Sequence, residues 1–138
     1  MAKKATEAKA SNYTATITES SREFSPKEKV MFKDLGNAES MIDFAKAAIE
    51  QGGKATIDVA DYAIISIHNE ATDDVDYVNY LLIDKNGNKY YTGSQSFWNS
   101  FMNIYSEMKD SDEDWGIELN LLPSKNYKGK EILTCSLI

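Results

Sequence analysis

Cysteine and histidine are almost missing from this chain, and their scarcity excludes whole classes of chemistry. Cys135 is the only cysteine among 138 residues, so there is no internal disulfide and no metal site built from several thiolates. Its place in the apolar run from Ile132 to Ile138 predicts a buried structural thiol rather than a nucleophile. His68 is the only histidine, which leaves little material for a histidine-rich metal site or a Cys-His pair, and it reads as a strand-end residue. A P-loop, a dinucleotide fingerprint and a nucleophile elbow are all lacking. The acidic stretches also lack the Asp-x-Asp-x-Asp-Gly spacing of a calcium loop. Neither an enzyme nor a bound metal or cofactor is expected. No apolar run approaches the roughly 20 residues needed to cross a membrane, and the N-terminal MAKKATEAKASN has no apolar centre of a secretory signal. The expected compartment is therefore the cytoplasm, with no membrane partner.

Positive charge is the second shortage. Lys and Arg number 15 against 22 Asp and Glu, a formal charge of −7 at pH 7. That balance argues against the simplest nucleic-acid binder, whose basic surface attracts phosphates at long range. The distribution answers part of the objection. Carboxylates gather at Glu70, Asp73, Asp74 and Asp76 and again at Glu107, Asp110, Asp112, Glu113 and Asp114, whereas Lys85 and Lys89 flank one hairpin turn and Lys125, Lys128 and Lys130 crowd another. An acidic protein of this kind can still present a locally basic groove.

What is present describes one folded domain: 42% hydrophobic and 11% aromatic residues in a length that suits a single core. Residues 1–11 are expected to be a disordered basic tail, since nothing in them buries enough apolar surface to offset ordering entropy. Residues 12–138 form the domain, with 12–53 as an N-terminal extension and 54–138 as the main unit. Within the extension, YTATIT at 13–18 predicts a strand, and Val30 to Phe32 predicts a short strand after a Ser-Pro break at 25 and 26. Asn37 offers a helix cap, and Met41, Ile42, Ala45, Ala48 and Ile49 recur at helical spacing until Gly52-Gly53.

Thr56 to His68, rich in Ile, Val and Tyr, predicts a strand long enough to bend across two sides of a small barrel. Its alternation slips near Asp61, which calls either for a bulge that shifts the register or for a cavity to hold the carboxylate; the bulge is preferred. An acidic loop at 69–76 leads to strands at 77–84 and 88–92 around Asn86-Gly87, a type I′ hairpin signal. Ser94 or Ser96 caps a helix with Phe97, Phe101, Ile104 and Met108 along one stripe and Trp98 and Tyr105 at its edge. Strands at 115–122 and 131–137 close the chain, joined by a polar loop. The expected class is therefore mainly β with two helices (α+β). The order from residue 54, three strands, a helix and two strands, is that of an OB-fold barrel carrying an N-terminal strand and helix, a fold whose sheet face and loops hold single-stranded nucleic acid or oligosaccharide.

A two-residue Asn86-Gly87 turn pairs Leu82 with Tyr91 and Ile83 with Tyr90. With Leu81 and Ile83 in the core, Tyr80, Leu82, Lys89 and Tyr91 form an outer patch. Rings there would stack bases for about 1–3 kcal/mol each without sequence preference, while Lys85 and Lys89 neutralise phosphates. The plainer account is that these tyrosines cover the sheet, a surface they fit well. Tyr127, inside SKNYKGK, has little core available and reads as a contact; Trp98 and Trp115 read as packing residues.

At YYTGSQSFWNSFMNIYSEM and LLPSKNYKGKEILTCSLI the chain resembles the small single-stranded DNA-binding proteins encoded by phages of Gram-positive bacteria, over roughly its last third. The resemblance implies an OB-fold protein that coats single strands in phage DNA replication or recombination, in the host cytoplasm, with Lys125, Tyr127, Lys128 and Lys130 touching the strand. It further implies phage or host replication and recombination proteins as partners. The extra N-terminal strand and helix either cap one barrel end or make a homo-oligomer interface. One departure is that bacterial proteins of this function end in an acidic tip, whereas this sequence ends Cys135-Ser136-Leu137-Ile138. The alternative from another class is an acidic module that binds a protein, such as a phage inhibitor whose carboxylates imitate DNA phosphates.

Overall fold

The strongest β-forming stretch of the sequence becomes the spine of the molecule. The computed structural model describes residues 13–69, 75–124 and 130–138; the expected tail, the centre of the acidic loop, and Lys125, Tyr127 and Lys128 lie outside them. Thr56–Ile57 (β3) and Val59–Asn69 (β4) are two parts of one long run broken at Asp58. β4 pairs antiparallel with Val75–Asp84 (β5), and β3 pairs antiparallel with Ile117–Pro123 (β7), so the spine belongs to two sheets at once. The expected bulge is present. Val59 faces Asp84 and Asp61 faces Ile83, which leaves Ala60 as the extra residue and flips the phase beyond it. Ile57 and Val59 before the bulge share a core cluster with Tyr62 after it, whereas Ala63, Ile65 and Ile67 face the other way.

The larger sheet runs β1-β4-β5-β6-β2, with β1 at Tyr13–Ser20, β6 at Lys89–Thr92 and the two-residue β2 at Glu39–Ser40 parallel to β6. The smaller runs β3-β7-β8, with β8 at Glu131–Leu137. Three helices accompany them: α1 at Pro26–Lys33, α2 at Met41–Glu50 and α3 at Gln95–Met108. The class is thus mixed α and β, dominated by strands, and among the described residues neither sheet closes into a barrel.

Both faces of the larger sheet are covered. On one, Phe97, Trp98 and Phe101 of α3, Met41 and Ala45 of α2, and Ile117, Leu119, Leu133 and Cys135 of the smaller sheet pack on Tyr62, Tyr80 and Leu82. On the other, Phe24 and Phe32 pack on Ala63, Ile65, Ile67, Leu81 and Ile83. A fully buried Phe or Leu stabilises by roughly 1.5–3 kcal/mol, so two filled faces make β4 and β5 the best-held strands. Ser94 caps α3 by accepting from Phe97 N. Gly52, at φ 76°, follows α2 where a left-handed residue is needed.

Two readings of the extension are corrected. Residues 30–32 are helix rather than strand, because Ser25-Pro26-Lys27-Glu28 starts a helix instead of breaking the chain. Ser25 Oγ accepts from Glu28 N at 3.2 Å and the Glu28 carboxylate accepts from Ser25 N at 2.9 Å, a reciprocal capping box with proline at the first helical position. The cap of α2 is Ser40, which accepts from Asp43 N, while Asn37 ends a 3-10 turn at Leu35–Asn37.

Replacing Ser25 by Ala is expected to lower stability by about 1 kcal/mol in urea unfolding. Arg22 holds the Glu28 carboxyl down to about 2, helped by Ser25 N–H. The unfolded chain takes up that proton near 4.5 and the folded chain only near 2, so acid favours unfolding through this group. Its stabilisation is complete above pH 4.5 and is lost as pH falls towards 2; unfolding curves of Glu28→Gln measured across that window should show a shallower pH dependence than the unmodified chain.

Candidate nucleic-acid interface

The β5–β6 hairpin carries four of the expected contacts, and its turn decides where they point. Asp84 accepts from Gly87 N at 3.0 Å and donates to Asn88 O at 2.9 Å, with Gly87 at φ 87°. This is a three-residue loop, Lys85 to Gly87, closed by a left-handed glycine, in place of the expected two-residue turn. The Asp84 carboxylate stabilises it by accepting from both Asn86 N and Asn88 N at 2.8 Å. The extra residue moves the register by one: Tyr80 faces Thr92, Leu81 faces Tyr91, Leu82 faces Tyr90 and Ile83 faces Lys89. Every side chain of β6 is thereby turned to the face opposite to the expected one.

The outer patch is therefore not formed. Tyr80 is only 8% exposed, stacks on Trp98 with ring centroids 4.7 Å apart, and donates its hydroxyl to Gln95 Oε1 at 2.8 Å. Leu82 is fully buried beside it. Tyr91 is half-buried against the cluster beneath α1, and Tyr90 packs on Phe44 with centroids 5.0 Å apart. Burial raises the Tyr90 phenol above its ordinary pKa. Lys89 donates to the carbonyls of Met31 at 2.6 Å and Asp34 at 2.8 Å. It thus satisfies carbonyls at the C-terminal end of α1. Lys85 is exposed and pairs with Asp114 at 3.3 Å, a contact that solvent and salt loosen easily.

The second hairpin is more open. β7 and β8 pair from Ile117 with Leu137 to Pro123 with Glu131, which brings Lys130 to the exposed end of the ladder. Leu119, Leu133 and Cys135 turn inward, whereas Leu122 and Ile132 sit opposite each other on the outer face at 49% and 37% exposure. Lys46 of α2 reaches Glu131 at 3.7 Å, in a space shared with Ile49 and Leu121. The sequence carried a signal for this pair, since neighbours in Leu121-Leu122 and in Ile132-Leu133 cannot both face one core. Tyr77 was also overlooked, although it is the described tyrosine side chain most open to solvent.

The remaining expectations concern packing and chemistry. Trp98 of α3 is buried against Tyr62 and Tyr80, and Trp115 is half-buried against Phe101 and Tyr105 of the same helix. Cys135 is buried, its thiol raised above the usual pKa by desolvation, which keeps it unreactive. His68 ends β4 and pairs with Asp76 across the sheet. Asp110, Asp112, Glu113 and Asp114 are exposed after α3. No group of His, Cys, Asp and Glu suited to a metal occurs among the described residues.

No family model, curated protein or solved structure matches this chain. Its own geometry separates the expected contacts into two kinds. Tyr80→Ala is predicted to cost about 3–5 kcal/mol of stability, as loss of a core aromatic does, and urea unfolding should register that loss with or without DNA present.

Proposed function

We propose that this chain is a non-catalytic single-stranded DNA-binding protein acting in phage DNA replication or recombination, built on an open form of the OB arrangement. The observation that carries the reading is the connectivity around the spine. A bent first strand, β3 and β4, pairs with β5 on one side and β7 on the other; α3 lies between the third and fourth strands of the unit, and β7 and β8 form its final hairpin. These neighbours and their order agree with those of an OB barrel short of its closure and support the reading, with β1 as an added strand on the other edge of β4. The resemblance of the last third of the chain to phage proteins of this class supports the same reading.

The contact surface in this proposal is the β7–β8 end. Lys125, Lys128 and Lys130 supply a local cluster of positive charge in a chain whose net charge, these lysines included, is −7. Tyr127 supplies a stacking ring, and the exposed Leu122 and Ile132 pair supplies apolar surface on which base faces rest. Tyr77 is a second exposed ring. Tyr80 and Lys89 are excluded from the surface because each is already used in packing or in holding α1. A second reading, an acidic protein-binding module, draws on the exposed carboxylates after α3.

Fluorescence anisotropy with a labelled poly-dT oligonucleotide, competed by duplex DNA at two salt concentrations, separates the two. The proposal requires binding that single strands compete, duplex does not, and rising salt weakens. Changing Lys125, Lys128 and Lys130 together to Glu should abolish that binding at moderate salt. Neutral substitution of the three should reduce the slope of log K against log salt by about 2, at roughly 0.7 per phosphate contact on a single strand. Tyr127→Ala should weaken binding by about 1–3 kcal/mol. Absence of binding at low salt would reject the proposal and turn attention to the acidic turn after α3.

A further inference from the structure

β1 forms one edge of the larger sheet and pairs with β4 alone among the described strands. Proteins blunt such an edge with proline, with charge or with very short strands. β1 has eight residues and no proline, and from Tyr13 to Thr18 it carries no charge. Only a bulge between Ile17 and Glu19 interrupts it. Beside the edge lies an open groove of about 570 Å³, walled by Ala15 to Ser20, Arg22 to Phe24, Lys29 and Lys33. A neighbouring space of about 440 Å³ is walled by Thr14, Ala15, Val30, Lys33 and Asp34. Val30 is 70% exposed. Among the described residues no further strand covers this edge.

The charges along it are arranged in a sense that suits one occupant. α1 runs opposite to β1: Glu28 at its start meets Arg22 just beyond the end of β1, and Lys33 at its end lines the space beside Thr14. Glu19 and Glu23 stand at one end of the groove, where Arg22 is held by Glu28 and Asp61, and Lys33 stands at the other, where the Asp34 carboxylate is held by Gly36 N and Asn37 Nδ2; Lys29 and Lys33 form no ion pair among the described residues. A two-fold axis across the edge sets the Lys33 end of one copy against the Glu19 and Glu23 end of the other, as a self-complementary patch must.

We propose that β1 pairs antiparallel with β1 of a second copy of this chain, joining the two larger sheets into one. The side-chain period of two selects the register, because Ala15 and Ile17 pack on the cluster beneath α1 and must share a face in both copies. With Thr16 on the axis, Ala15 lies opposite Ile17 of the second copy and Thr14 opposite its Thr18. This arrangement gives apolar pairs on one face and threonine pairs on the other, both favourable across strands. Lys33 then reaches towards Glu19 and Glu23 of the second copy. The inference is independent of DNA binding and uses no residue assigned to that surface.

Sedimentation equilibrium of the full chain across its accessible concentration range tests it. The expected result is a monomer–dimer equilibrium that Thr16→Lys weakens by about tenfold or more, since the exposed position puts two like charges face to face on the axis. Lys33→Glu and Glu23→Lys should each weaken the dimer about fivefold, and combining them should restore it by exchanging the partners of each pair. Thermal unfolding by circular dichroism checks that each variant stays folded. A wild-type chain that remains monomeric overturns the proposal. So does a dimer indifferent to Thr16→Lys, or a double charge exchange no better than either single change.

Discussion

Everything in this fold depends on one strand that is buried on both faces and changes its phase once. β4 carries Tyr62 towards the aromatic helix and Ala63, Ile65 and Ile67 towards α1. Residues Ile57 and Val59 before the bulge face the same side as Tyr62 only because Ala60 is inserted between them. Without the insertion Asp61 would enter the core with Ile57 and Val59, and an ionised carboxylate buried without a partner is among the costliest groups a protein can hold. The bulge instead brings Asp61 to the rim, where it accepts from Ser21 Oγ at 2.8 Å and Arg22 Nε at 3.2 Å. The same Arg22 holds Glu28 in the first turn of α1, so the residue that corrects the strand also anchors the helix covering it.

That covering helix explains why much of the fold was legible in the sequence while the expected binding face was not. Elements whose signals are local were readable from residue order: the slip at Asp61, the glycine pair after α2, Ser94 ahead of the aromatic helix, and the bounds of the last strand. The outer patch, by contrast, depended on what lies above the sheet. Tyr80-Leu81-Leu82-Ile83 is a continuous apolar run, and such a run is what a strand covered on both sides looks like. Reading it as half-exposed assumed that the extension left the outer face free. The extension was misread for a related reason. Ser25-Pro26 is a turn signal in isolation and a helix start when Glu28 follows, and the two readings differ only in a residue three positions away.

The hairpin register shows how narrow the margin can be. Asn86-Gly87 signals a two-residue turn, yet Asp84 and Asn88 take the closing hydrogen bond one residue further out. The Asp84 carboxylate, accepting from two backbone N–H groups, favours the longer loop. One residue of difference exchanges Tyr90 and Tyr91 between faces. It also sends Lys89 to the carbonyls that end α1, where a cation complements the partial negative charge of a helix C-terminus. A lysine that looks available for phosphate in a linear reading is thus a structural clamp between β6 and the extension.

Covering the outer face has a consequence for any strand-shaped ligand. In the proposed open OB arrangement the surface of the first three strands would be the platform, and Phe24 and Phe32 occupy the space above Leu81 and Ile83. A nucleic acid bound as proposed would therefore lie away from this face of the larger sheet. Leu122 and Ile132 are exposed on the β7–β8 hairpin with Lys130 at its described end, and long-range attraction from the whole molecule is unfavourable at a charge of −7. Association would then rely on contacts made within about a Debye length, roughly 8–10 Å at physiological salt. A chain of −7 repels a strand at long range, so the charge that first argues against a nucleic-acid function also confines such a function to places where cations locally outnumber carboxylates.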